Sequence, residues 1–311
     1  MIVCCGEALI DMIPITDLEG GHSLKPHAGG AVFNTAIALG RLGVQAQFLS
    51  GVSTDLFGKI LLGELHNSNV VTDLVIRSDR PTTLAFVELN NGQASYVFYD
   101  ENTAGRMLDP QDLPMVPEAT QALYFGGISL INEPAADFYL ALALRESKKR
   151  VIVADPNIRA NFITNEARYR ARLVQLIGCV DILKVSDEDL DWIVPGPLTQ
   201  IEKANALCEK GPTVVVLTRG SEGASALFGD DMVVDVPVPK VTVADTVGAG
   251  DTFNAGFLAS LSENGLLEKK TLQGISKPEM KRALEYGAKV AAITVSRPGA
   301  NPPWKNEMVL K

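Results

Sequence analysis

Residues 245–253 read Asp-Thr-Val-Gly-Ala-Gly-Asp-Thr-Phe, with two aspartates six apart around a Gly-Ala-Gly. Phe253, Phe257 and Leu261 recur at i, i+4, i+8, with Leu258 beside them, which is one face of a helix. The preceding stretch 236–245 reads as an extended strand. Gly248, Ala249 and Gly250 then stand where a helix begins. A helix N-terminus has unpaired N–H groups and a partial positive charge, and small residues let an anion approach those groups. Asp251, in the first turn, admits two readings. It either compensates the helix dipole with nothing bound, or faces an anion held by bare backbone.

A second glycine-led helix is written in residues 29–43, GGAVFNTAIALGRLG. Gly29 and Gly30 precede it and Asn34 lies in its first turn. The stretch is either a tight turn with small-residue packing or a place where backbone and Asn34 meet a polar ligand. Asp11 follows an apolar run, and residues 155–159, DPNIR, follow another. Ligand sites in open α/β sheets gather at the carboxyl ends of strands. Arg159 can fork onto a hydroxyl, carboxylate or phosphate, or form a surface ion pair. Several standard chemistries are missing. The nearest approach to a Walker A loop, Ser53…Gly58-Lys59-Ile60, lacks its first glycine and its final hydroxyl, and no G-x-G-x-x-G, G-x-S-x-G or H-E-x-x-H occurs.

The elements that position these residues are short apolar runs alternating with helical patterns. Strands are expected at 2–5, 47–52, 122–127, 150–155, 181–186 and 213–218, and helices at 31–42, 55–68, 135–149, 165–178 and 199–210. Continuous apolar runs suit strands buried on both faces, and the alternation predicts an α/β fold with a mainly parallel sheet. Two regions break the pattern. Residues 82–100 form a hairpin around Asn90, Asn91 and Gly92, and 224–236 form another around Gly229, Asp230 and Asp231. The first hairpin can pair with 9–27 as a small separate sheet, a lid. The expected organisation is a core of 1–10, 28–80 and 104–311 with a β-sheet lid of 11–27 and 81–103. A small sheet is marginal alone, which favours a homodimer through the lid.

The chain has 311 residues, 46% hydrophobic and 21% charged, with net charge −9. That balance is globular, and no basic stripe invites nucleic acid. The four cysteines and three histidines show no metal or disulfide spacing, which suits reduced thiols in the cytoplasm. The N-terminus lacks a basic n-region, and no apolar run is long enough to span a membrane.

Together these pieces resemble the ribokinase-like (PfkB-type) carbohydrate kinases, along essentially the whole chain and in the family's motif order. Residues 29–43 are similar to its N-terminal signature and 245–253 to its C-terminal one. Residues 1–12, 155–159 and 184–190 look most like bacterial fructokinases. The resemblance implies a three-layer α/β/α core with a β-sheet lid, and ATP-dependent phosphorylation of D-fructose to fructose 6-phosphate. Asp251 would be the general base, and the N–H groups of Gly248, Ala249 and Gly250 the anion hole. Asp11, Gly29, Gly30 and Asn34 match sugar contacts, and Tyr99 and Arg159 match substrate contacts of the fructokinase-like branch. Lys184 and the loop Thr218, Arg219, Gly220, Ser221, Glu222 and Gly223 match nucleotide contacts. Asp189 stands where the family has a glutamate linked to magnesium and phosphates. Mg²⁺ would arrive with ATP. Potassium, where the family binds it, would use backbone at Asp245, Val247, Thr294, Arg297 and Gly299. The rivals are a 2-keto-3-deoxygluconate kinase or another sugar or riboside kinase and, outside enzymes, a sugar-binding regulator.

Overall fold

A computed structural model describes residues 1–16, 21–90, 93–229 and 232–309. The expected turn residues Asn91, Gly92, Asp230 and Asp231 lie outside the described residues. A nine-stranded sheet runs in the order Met232–Val236, Ala224–Phe228, Val214–Thr218, Ile182–Ser186, Val151–Asp155, Ala122–Gly126, Ile2–Cys5, Ala46–Leu49, Val70–Val71. From Val214–Thr218 to Val70–Val71 every neighbouring pair is parallel, and the first two strands run antiparallel.

The central strands are apolar on both faces because both faces are covered. Ile2 and Cys4 point into one core with Phe33, Phe253 and Leu284, and Val3 and Cys5 point into the other with Phe138, Leu173 and Leu207. The first core lies under the helices Ala31–Arg41, Ala249–Glu263 and Lys277–Val295. The second lies under Ala135–Glu146, Glu166–Ile177 and Gln200–Cys208.

A separate four-stranded sheet runs in the order His22–Gly29, Leu9–Thr16, Leu84–Asn90, Gln93–Tyr99. Leu9–Thr16 lies parallel to Leu84–Asn90, so the expected hairpin does pair with the N-terminal stretch.

Two expectations change. The run 47–52 is two strands in different sheets, Ala46–Leu49 and Gly51–Ser53. The chain passes so close to Ala104 at the second of these that a Cβ on Gly51 would lie 1.9 Å from the Ala104 carbonyl oxygen. The extended stretch 236–245 ends its strand at Val236, and residues 237–245 join no sheet. Pro237 and Pro239 lack the N–H donors a ladder needs, and Val238, Val241 and Val243 are exposed. The helix carrying Asp251 is therefore entered from an irregular segment, which is tied down where the Ala244 and Asp245 N–H groups donate to the Val295 carbonyl.

Candidate active site

Two helix N-termini converge on one cavity of about 370 Å³ at the carboxyl edge of the large sheet. The helix Ala31–Arg41 starts after Gly30, whose φ of 112° is open to glycine. The buried Glu7 carboxylate accepts from the Ala31 N–H at 3.0 Å and the Ser129 N–H at 3.3 Å. Burial pushes the Glu7 carboxyl up, and these backbone donors pull it back down. The helix Ala249–Glu263 starts after Gly248, which is left-handed at φ 76°, ψ 5°.

Asp251, in that first turn, is 8% exposed. Its Oδ2 accepts from Asn34 Nδ2 at 2.9 Å, and Thr35 Oγ1 donates to its backbone carbonyl at 3.1 Å. Burial pushes its carboxyl up to about 7, against the Asn34 hydrogen bond, which favours the charged form. Asp11 enters the same cavity from the small sheet, and burial pushes it up to about 6. Such values belong to carboxylates able to exchange a proton near neutrality.

The structure brings Asp11, Gly30, Asn34, Arg159, Lys184, Val247, Gly248, Ala249, Gly250 and Asp251 to the cavity wall. Gly29 lies directly beneath Asp11, where a Cβ would fall 2.2 Å from Oδ2. Arg159 is exposed and donates to the Asn157 and Ile158 carbonyls at 3.2 Å each. Lys184 is buried, its Nζ 3.0 Å from Asp155 Oδ2.

Tyr99 does not line the cavity. It is 61% exposed and packs edge-on against Phe86. Strand alternation gives the reason: Tyr96 and Phe98 face the cavity, and Tyr99 belongs to the opposite face. Asp189 lies outside the wall as well. It closes a capping box with Ser186 at the start of the helix Asp187–Ile193 and accepts from the Ile158 N–H at 2.9 Å.

The loop Thr218–Gly223 follows the strand Val214–Thr218 at the same sheet edge, beyond the cavity wall. There Thr218 Oγ1 donates to the Val185 carbonyl and Arg219 to Ser225 Oγ, while Gly220–Glu222 form one 3₁₀ turn. Ser221 and Glu222 are exposed in that turn. Residues 245–248 are clipped to 294–299. Asp245 Oδ1 accepts from the Val247 N–H at 3.0 Å and Oδ2 from the Gly299 N–H at 2.9 Å. The Thr294 carbonyl is used by the Arg297 N–H, and the Arg297 guanidinium pairs with Glu307.

Sequence reasoning passed over Glu7, Tyr96, Phe98, Gly127, Ile128 and Asn157, all on the wall. A detectable signal was present for Glu7, an acid one glycine beyond a fully apolar strand.

The pfkB family carbohydrate kinase pattern spans residues 1–307. The chain belongs to this family. It is 48% identical over 282 residues to a fructokinase of Rhizobium leguminosarum bv. trifolii, covering 90% of this chain and 86% of that one. It is 30% identical to a probable chloroplastic fructokinase of Arabidopsis thaliana over 97% of this chain and 79% of the relative. Its structure superposes with a TM-score of 0.89 on a fructokinase from Xylella fastidiosa solved with ATP bound. Identity there is 26%, over 99% of this chain and 96% of that one. The chain is thus a phosphotransferase of the carbohydrate kinase class with a ribokinase-like fold.

Proposed function

We propose that the protein phosphorylates D-fructose with ATP, giving fructose 6-phosphate and ADP, with Asp251 as general base. The observation that carries this reading is the Asp251 carboxylate, buried at a helix start, hydrogen-bonded to Asn34 and pushed up to about 7. The sugar hydroxyl gives its proton to Asp251 while its oxygen bonds to the γ-phosphorus. The bond from that phosphorus to the β–γ bridging oxygen breaks, and ADP leaves. Catalysis here is positioning and charge stabilisation. Gly248, Ala249 and Gly250 line the cavity, and their N–H groups serve as the anion hole, the Ala249 N–H turning from the Thr246 carbonyl to which it donates at 3.3 Å. Lys184 and the loop Thr218–Gly223 serve the nucleotide. Asp11, Gly30 and Asn34 hold sugar hydroxyls.

Fructose is favoured over a sugar acid by the wall's charge. Glu7, Asp11 and Asp251 outnumber its cations, and Lys184 is already paired to Asp155. The specific observation for 2-keto-3-deoxygluconate is Arg159, at the rim with donors to spare. Turnover on a sugar panel decides. Fructose should be the best acceptor, and strong activity on ketodeoxygluconate with none on fructose sinks the fructokinase reading.

Segments 11–27 and 81–103 act as a lid over the sugar and exclude water, the competing acceptor. Its edge strands, His22–Gly29 and Gln93–Tyr99, carry exposed Leu24, Val97 and Tyr99, a surface suited to a homodimer. Mg²⁺ is supplied with ATP and held mainly by phosphates and water. For potassium the Asp245 and Val247 carbonyls are available, accepting no hydrogen bond among the described residues, while the Thr294 and Gly299 carbonyls already accept from the Arg297 and Asn301 N–H groups. Bound there, the ion would add positive charge beside the anion hole. An ATP donor suits a cytoplasmic setting.

A further inference from the structure

Asp155 has no part in the mechanism above, yet its carboxylate is among the most deeply buried in the chain. It ends the strand Val151–Asp155 and is 1% exposed. Its Oδ2 accepts from two donors, Lys184 Nζ at 3.0 Å and Asn254 Nδ2 at 2.7 Å. Its Oδ1 is buried with no hydrogen-bond partner. Burying a carboxylate is costly, and stability alone is served as well by apolar groups of the same volume. The two donors belong to elements that carry the site. Asn254 lies one turn along the helix from Asp251, and Lys184 Nζ is 3.5 Å from where a Cβ on Gly250 would stand. An ammonium against a helix N-terminus opposes the helix dipole, so this placement needs a fixed counter-charge. The network runs on: Asn254 Nδ2 reaches the Tyr124 hydroxyl at 2.9 Å, and Thr35 Oγ1 lies 3.5 Å from that hydroxyl and 3.1 Å from the Asp251 carbonyl.

We propose that Asp155 is a positioning residue that holds the Lys184 ammonium against the first turn of the helix Ala249–Glu263 and anchors that turn through Asn254. It rests on the reading of Asp251 as base. Burial alone would lower the Lys184 ammonium, but the Asp155 carboxylate, with Asp189 and Asp251, more than offsets it and keeps the lysine charged. The ionisable groups facing Asp251 are Asp155, Lys184 and Glu7, with the Tyr124 hydroxyl nearby. Asp155 pushes the Asp251 carboxyl up more strongly than Lys184 pulls it down. Removing either charge therefore moves Asp251 in opposite directions, which loss of packing alone does not do.

The test is a carboxyl ¹³C titration of Asp251 in the full chain, with kcat and KM for sugar, in wild type, Asp155→Asn and Lys184→Met. In Asp155→Asn the Asp251 titration should move to lower pH, and in Lys184→Met to higher pH. Both variants should lose roughly tenfold or more in kcat with sugar KM nearly unchanged. An Asp251 titration that stays put in Asp155→Asn, or wild-type kcat in that variant, overturns the proposal. If Asp155→Asn does not fold, Lys184→Met decides by the same two readouts. The titration needs no turnover, so a wild-type chain inactive on every sugar counts against the kinase reading and leaves the positioning readable.

Discussion

Asn34 Nδ2 donates to Asp251 Oδ2 at 2.9 Å, joining the first turns of two helices across 217 positions of chain. The bond fixes one carboxylate oxygen and leaves the carboxylate aimed into the cavity both helices face. If Asp251 is the base, Asp251→Asn keeps the shape and loses the proton acceptor. Its kcat should fall by a factor on the order of 10²–10⁴. Sugar binding by calorimetry should stay within a few-fold of wild type. Near-full turnover in this variant removes Asp251 from the base role.

The same bond sets a pH dependence. A base must be ionised to work, so kcat/KM for the sugar should rise with pH through a midpoint close to the Asp251 value of about 7. Asn34 favours the charged form. Asn34→Ala should therefore displace the acid limb of the rate profile to higher pH, as well as weaken sugar binding. A limb that stays in place means that another group controls it.

Asp251 also costs stability. Its folded value, about 7, lies above the ordinary 3.8, so the folded chain holds an extra proton between those values. Stability then falls as pH rises from about 4 to about 7, the reverse of a salt-bridged carboxylate. Asp251→Asn should melt higher than wild type at pH 8, by about 2 °C or more, with the difference vanishing at pH 4. Equal melting at pH 8 would mean that the buried carboxylate is better solvated than its surroundings suggest.

The parallel core was legible because its strands are unbroken apolar runs, and Ile2–Cys5, Val151–Asp155 and Val214–Thr218 lie where those runs lie. Gly30, Asn34 and Val247–Asp251, which line the cavity, were legible in the sequence because glycines set directly before an amphipathic helical face mark backbone that a ligand can approach closely. Tyr99 was not placed correctly because sequence shows two aromatic faces of one strand, Tyr96 and Phe98 against Tyr99, without saying which faces the cavity. Asp155 was hidden for a related reason. Its partners Lys184 and Asn254 lie 29 and 99 residues away; the sheet register brings the first beside it, and the packing of the helix Ala249–Glu263 on the sheet brings the second. The helix Lys277–Val295 was missed although Ser276 and Glu279 spell its capping box, with a proline in its first turn.

Gly248 is the hinge of the anion hole. Its φ of 76° is left-handed, and a Cβ would come within 2.7 Å of the Ala300 Cβ. Gly248→Ala should cost about 1–2 kcal/mol from strain at that φ. Displacing the N–H groups of Ala249 and Gly250 should also lower kcat. Thermal melting and steady-state kinetics read the two effects separately. A variant stable and active as wild type would show that the loop has room the static geometry lacks.

Asp245 carries a different role from the acid six residues later. Both its oxygens are occupied by backbone donors, Val247 N–H at 3.0 Å and Gly299 N–H at 2.9 Å, so it is a clip and no base. The clip holds residues 245–248 against the loop after Thr294, and the Asp245 and Val247 carbonyls accept no hydrogen bond among the described residues. If those carbonyls hold potassium beside the anion hole, wild type should turn over faster in KCl than in tetramethylammonium chloride. Asp245→Ala frees both loops, so it should lose that difference while keeping the Asp251 pH midpoint. A wild type indifferent to the cation removes the potassium reading. An Asp245→Ala variant that still responds to potassium shows that the ion needs the carbonyls without the clip.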